Sequence, residues 1–179
     1  MNPINDIISE AEAGTNLFFN IFERIEKAKK LKDFGYTVLR MLYLEISWNL
    51  DMLDIVNWRE LSNAAYQNNN LKEIIGRLEN SVAEVILINA SEEGQRKVFD
   101  LLKKKGNIDD SEFNYNNVLQ YVSFYYLKIK MLNEIIKLND ANKLLIKIKI
   151  NARLQNIKKR LIELKAYLDK FEELKELKR

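Results

Sequence analysis

KLLIKIKINARLQNIKKRLIELKAYLDKFEELKEL, residues 143–177, is the stretch that decides the fold. Within it Ile150, Leu154, Ile157, Leu161, Leu164, Leu168 and Phe171 recur at alternating spacings of four and three. That period puts them on one stripe of a helix, a coiled-coil seam of about three heptads. At 1.5 Å per residue the predicted helix is roughly 50 Å long. Immediately upstream, Phe113 to Leu138 reads as a partner helix, and Asn139-Asp140 as the turn of a long C-terminal helical hairpin.

Outward from the hairpin, the rest of the chain carries the same period. A first helix is expected from Pro3, a residue suited to helix starts, to about Lys30. A second is expected from Asp33 to Tyr66, ended by Asn68-Asn69-Asn70, and a third from Leu71 to about Asn89. A short fourth helix begins near Ser91 and stops at Lys103-Lys104-Lys105-Gly106, basic residues followed by glycine. Asn107 to Glu112 are expected to form a loop, with a junction between two sub-bundles expected near residues 106–112. The expectation is all-α: one domain over residues 1–179, a bundle of about five helices with a long C-terminal hairpin. Composition agrees, since 47% hydrophobic and 31% charged residues with one proline and five glycines suit a folded helical chain.

Residue inventory excludes much chemistry. The chain has no cysteine and no histidine, so thiolate metal sites, disulfides, thiol nucleophiles and the commonest general base are all missing. The five glycines, at 14, 35, 76, 94 and 106, build no phosphate loop. Asp51 with Asp54, and Asp109-Asp110 with Glu112, lack the spacing of a calcium loop. No metal, no cofactor and no catalytic residue is expected. The longest charge-free run, Phe113 to Leu127, has 15 residues, short of the roughly 18 to 20 a spanning helix needs. With an acidic start and no signal-like stretch, a cytoplasmic protein without membrane contact is expected.

Two features remain. In the predicted second helix, Arg40, Ser47, Asp51 and Asp54 share one side, whereas Glu45 and Asn49 lie opposite, among Val38, Met41, Met52 and Val56. A carboxylate facing the core needs a partner. Arg77, Arg24 or a lysine of a facing helix are the expected ones, in a polar network that fixes register or lines a pocket.

The second feature is charge. Residues 1–112 hold 14 basic and 19 acidic groups, residues 113–179 hold 15 and 7. The halves can complement each other inside the fold or between molecules. Lys143, Lys147, Lys149, Arg153, Lys158, Lys159, Arg160 and Lys165 flank the seam with Glu163 as the one acid among them. They suit either a phosphate track or cationic stems lying along apolar surface. Aromatic residues upstream, Tyr121, Phe124, Tyr125 and Tyr126, span a wide arc and predict a central helix or an oligomer surface.

The run Leu42-Tyr43-Leu44-Glu45, followed by Asn49-Leu50 and Leu53, loosely resembles the long helices of HEPN-like (higher eukaryote and prokaryote nucleotide-binding) bundles of bacterial antiphage and toxin systems. Those ribonucleases use an Arg followed by a His. A chain without histidine carries over no catalytic residue, so the resemblance implies a non-nuclease. The expected function is therefore a non-catalytic helical protein that binds a protein partner or itself. RNA or DNA binding through the basic C-terminal helix is the alternative.

Overall fold

The computed structural model describes residues 34–61, 70–89 and 115–170. The expected first and fourth helices, the loop over residues 106–112, Arg24 and Phe171 lie outside these. The described residues are all-α: α1 (Phe34–Asp54), α2 (Lys72–Gly76), α3 (Ser81–Glu84) running into a π turn (Val85–Asn89), α4 (Tyr115–Ile136), α5 (Ala141–Lys147) and α6 (Ile150–Leu168).

α6 is the axis of the assembly and packs against both α1 and α4. Its seam is buried throughout, from Ile150 through Leu154, Ile157, Leu161 and Leu164 to Leu168. The predicted stripe is thus an intramolecular core contact. α1 runs antiparallel to α6: Tyr43 Oη, at the middle of α1, donates to Asp169 at 3.0 Å just past the end of α6, and Asp54, at the end of α1, pairs with Lys158 near the middle of α6. α4 lies centrally, against α2, α3, α5 and α6. That accounts for its wide aromatic arc: Tyr125 and Tyr126 are buried, while Tyr121 and Phe124 pack at the core's margin.

Three boundaries differ from expectation. α1 ends at Asp54 instead of near Tyr66. The β-branched pair Ile55-Val56 weakens the helix there. Asn57 then takes the backbone into a turn, accepting the Arg59 N–H on Oδ1 and the Glu60 N–H on its carbonyl. The expected third helix is broken into α2 and α3, and the helix expected from Lys143 onward is broken at Ile148-Lys149. No glycine or proline stands at the second break; Lys149 instead adopts a left-handed conformation at φ 53°, ψ 61°. Packing holds it there, since α5 buries Ala141 and Leu145 completely, which offsets the cost of about 1 kcal/mol or more for a non-glycine residue in that region.

Candidate functional site

Glu45 and Asn49 are both fully buried, as the helical wheel requires, and both face the break between α2 and α3. Six backbone groups of that break find partners on other helices. The carbonyls of Arg77, Leu78 and Glu79 accept from Trp48 Nε1 at 2.9 Å, Asn133 Nδ2 at 3.4 Å and Asn49 Nδ2 at 2.7 Å. The Glu79 N–H returns the bond to Asn49 Oδ1 at 2.7 Å. At the start of α3, the N–H groups of Val82 and Ala83 donate to the Glu45 carboxylate at 2.6 and 3.2 Å. Broken helix ends must be satisfied by something when buried, and here α1 supplies most of what is needed. Glu45 thus caps a helix 37 residues away in sequence.

Of the expected cationic partners, Arg24 lies outside the described residues and Arg77 is engaged elsewhere. Arg77 pairs with Glu73 at 2.7 Å, and no ion pair to Glu45 occurs among the described residues. The third donor is the Tyr125 hydroxyl of α4, 2.8 Å from Oε1. Burial pushes the Glu45 carboxyl up to about 7, although each of these three hydrogen bonds favours the anion. The Tyr125 phenol is raised well above its ordinary value, by burial first and by the neighbouring carboxylate second. It therefore stays a donor. Both carboxylate oxygens are thus engaged inside a packed core. Its chemistry serves the join between helices.

The basic residues divide into two sets. Lys158 pairs with Asp54 and sits 5.6 Å over the Trp58 ring. Arg160 pairs with Glu163 at 3.0 Å and stacks 4.7 Å from Tyr121. Lys165 lies 5.4 Å over Tyr43. These three are stems and charges laid along the apolar seam. With Lys130 and Glu84, 3.4 Å apart, the Lys158 pair also joins the acidic and basic halves within one molecule.

Lys143, Lys147, Lys149, Arg153 and Lys159 are exposed and have no ion pair among the described residues. Four of them lie along α5 and the first turn of α6. Lys143 and Lys147 share one face of α5 with Ile146, which is 59% exposed. Lys149 is the elbow itself. Arg153 folds back so that Nε donates to the Ile148 carbonyl at 3.3 Å. Leu138, 50% exposed, precedes α5.

Sequence reasoning missed three positions. Tyr125 was one of several core tyrosines, with nothing local to link it to Glu45. Ile146 was outside the recognised seam. Trp58, beyond α1, forms an open groove with Gln155, Lys158, Lys159, Ile162 and Glu163; the signal available was a tryptophan following a β-branched helix end. Among the described residues no group of three acidic side chains is placed to hold a metal ion, and no helix is long and apolar enough to cross a membrane. Compared with protein families, with curated proteins and with solved structures, the chain gives no match to any of them.

Proposed function

We propose that this chain is a non-catalytic binding protein whose contact surface is the elbow between α5 and α6, and that it engages an acidic protein surface there, on a partner or on a second copy. One observation carries the reading: Lys143, Ile146 and Lys147 share an exposed face of α5, next to Lys149, Arg153 and Leu138. Exposed large apolar residues ringed by uncommitted cations suit a protein contact, in which an apolar centre is desolvated and charges select the partner. Nucleic acid would use the cations and leave Ile146 and Leu138 idle. Glu45 supports the non-catalytic part, because its oxygens are engaged by the chain's own donors.

A second reading, RNA or DNA binding, draws on the groove where Trp58 stands beside Lys158 and Lys159, an aromatic face next to cations. One set of titrations separates the two. A labelled acidic amphipathic peptide, labelled single-stranded RNA and labelled duplex DNA are each titrated by fluorescence anisotropy at about 50 and 200 mM salt, with sedimentation velocity reporting self-association. The protein-binding reading expects peptide binding or a dimer, lost in Ile146→Asp. RNA or DNA binding that weakens tenfold or more with salt and survives Ile146→Asp would replace it. A monomer that binds none of the three would refute both.

A further inference from the structure

α5 and the first turns of α6 carry two overlapping apolar stripes, of which the bent structure uses one. Ala141, Leu145 and Ile148 are spaced four and three, and the first two are fully buried against the bundle. Ile146, four residues before Ile150, extends the α6 seam of Ile150, Leu154 and Ile157 backward by one turn. On an unbroken helix Ile146 would fall within the arc of that seam, whereas Ala141 and Leu145 would rotate out of it. The bend at Lys149 brings the first stripe inward and leaves Ile146 59% exposed.

We propose that α5 and α6 form a two-state elbow, bent as described here or straightened into one continuous helix from residue 141 to residue 168. Three observations support it. Residues 141–168 contain neither glycine nor proline, so nothing in the chain forbids a continuous helix. The bend is made by Lys149, which stands at φ 53° and is the one non-glycine residue with positive φ among the described residues. The α4–α6 register also accommodates a straight form. Arg160 stacks on Tyr121, and equal rises in opposite directions from that contact bring residue 145 level with Ile136, the last residue of α4. A straight α5 would therefore continue beside the end of α4 without any sliding of α6, and Ile146 would meet the half-buried Ile135 and Ile136. Straightening would also draw Ile146 out of the exposed face with Lys143 and Lys147, so a ligand of that face would select the bent form. The two states themselves stand whether or not anything binds there.

The chain has no cysteine, so nitroxide labels at Lys143→Cys and Lys159→Cys, both exposed positions, report one distance by pulsed electron resonance. A straight helix separates these positions by about 24 Å along its axis, and the bend shortens that. Two distance populations are expected. Lys149→Gly, which removes the left-handed penalty and weakens the helix, should deplete the longer one at least about fivefold. Ile146→Asp, which puts a charge on the seam of the straight form alone, should deplete it as well. Both substitutions are at exposed positions, and circular dichroism checks that each variant keeps its helices. A single distance population in the wild-type background, or two populations that neither substitution shifts, overturns the proposal.

Discussion

The break between α2 and α3 and the break between α5 and α6 are both interruptions of helices that the period alone would continue, yet they are built oppositely. At the first, six backbone groups from Arg77 to Ala83 are met by Glu45, Trp48, Asn49 and Asn133 from other helices. At the second, packing of Ala141 and Leu145 on one side and a strained Lys149 on the other hold the bend, with cations turned outward. A buried break needs polar partners, because an unsatisfied N–H or carbonyl in the core costs more than a hydrogen bond returns. An exposed one can be finished by water, so its side chains remain available for other work. The contrast separates structural polarity from polarity free to bind.

Removing Glu45 should break the first region most severely. Glu45→Ala leaves two backbone N–H groups and the Tyr125 hydroxyl without an acceptor and opens a cavity; a loss on the order of 4 kcal/mol in urea denaturation is expected. An unchanged midpoint would show that Glu45 is not a cap.

Acidity should tune the same region. With its folded value at about 7 and its ordinary value at 4.5, Glu45 holds a proton between those pH values that the unfolded chain has released. Its contribution is therefore greatest near pH 4.5 and is lost as pH rises toward 7, a decline on the order of 3 kcal/mol. Glu79, raised by burial, adds in the same direction. Glu45→Gln should flatten most of the slope, and an equal slope in that variant would assign it elsewhere.

Asn49→Ala, which removes two hydrogen bonds to Glu79, should cost about 2 kcal/mol in the same denaturation. Tyr125→Phe should cost about 1 kcal/mol, the value of one buried bond whose acceptor keeps two other donors. The smallest effect belongs to the second region. Reversing Lys143 and Lys147 to Glu should leave stability within about 0.5 kcal/mol, as for exposed groups without partners, while abolishing binding at the elbow.

How much of this the sequence reveals follows from the range of each interaction. Burial of Glu45 and Asn49 was legible because a helical wheel needs only one helix. The seam from Ile150 to Leu168 was legible for the same reason. The partners of Glu45 were not, since reading for opposite charge points to Arg77, whereas the actual donors are the Tyr125 hydroxyl of another helix and two backbone groups at a break marked only by Gly76 and Asn80. The bend at Lys149 was equally hidden: propensity favours a continuous helix there, and only the competition between the Ala141–Leu145 stripe and the Ile146–Ile150 stripe overrides it. Trp58 escaped because α1 was read as continuing past it; the turn at Asn57 turns it toward α6.

Amide hydrogen exchange at Val82 and Ala83 tests the division between the two regions most directly. Both N–H groups lie at the start of a four-residue helix, where they would exchange rapidly unless a buried acceptor protects them. The account predicts strong protection in the wild type, loss of it in Glu45→Ala that exceeds the loss at amides elsewhere in the core, and no change on reversing Lys143 and Lys147. Rapid exchange at both amides in the wild type, or protection that persists in Glu45→Ala, would contradict it.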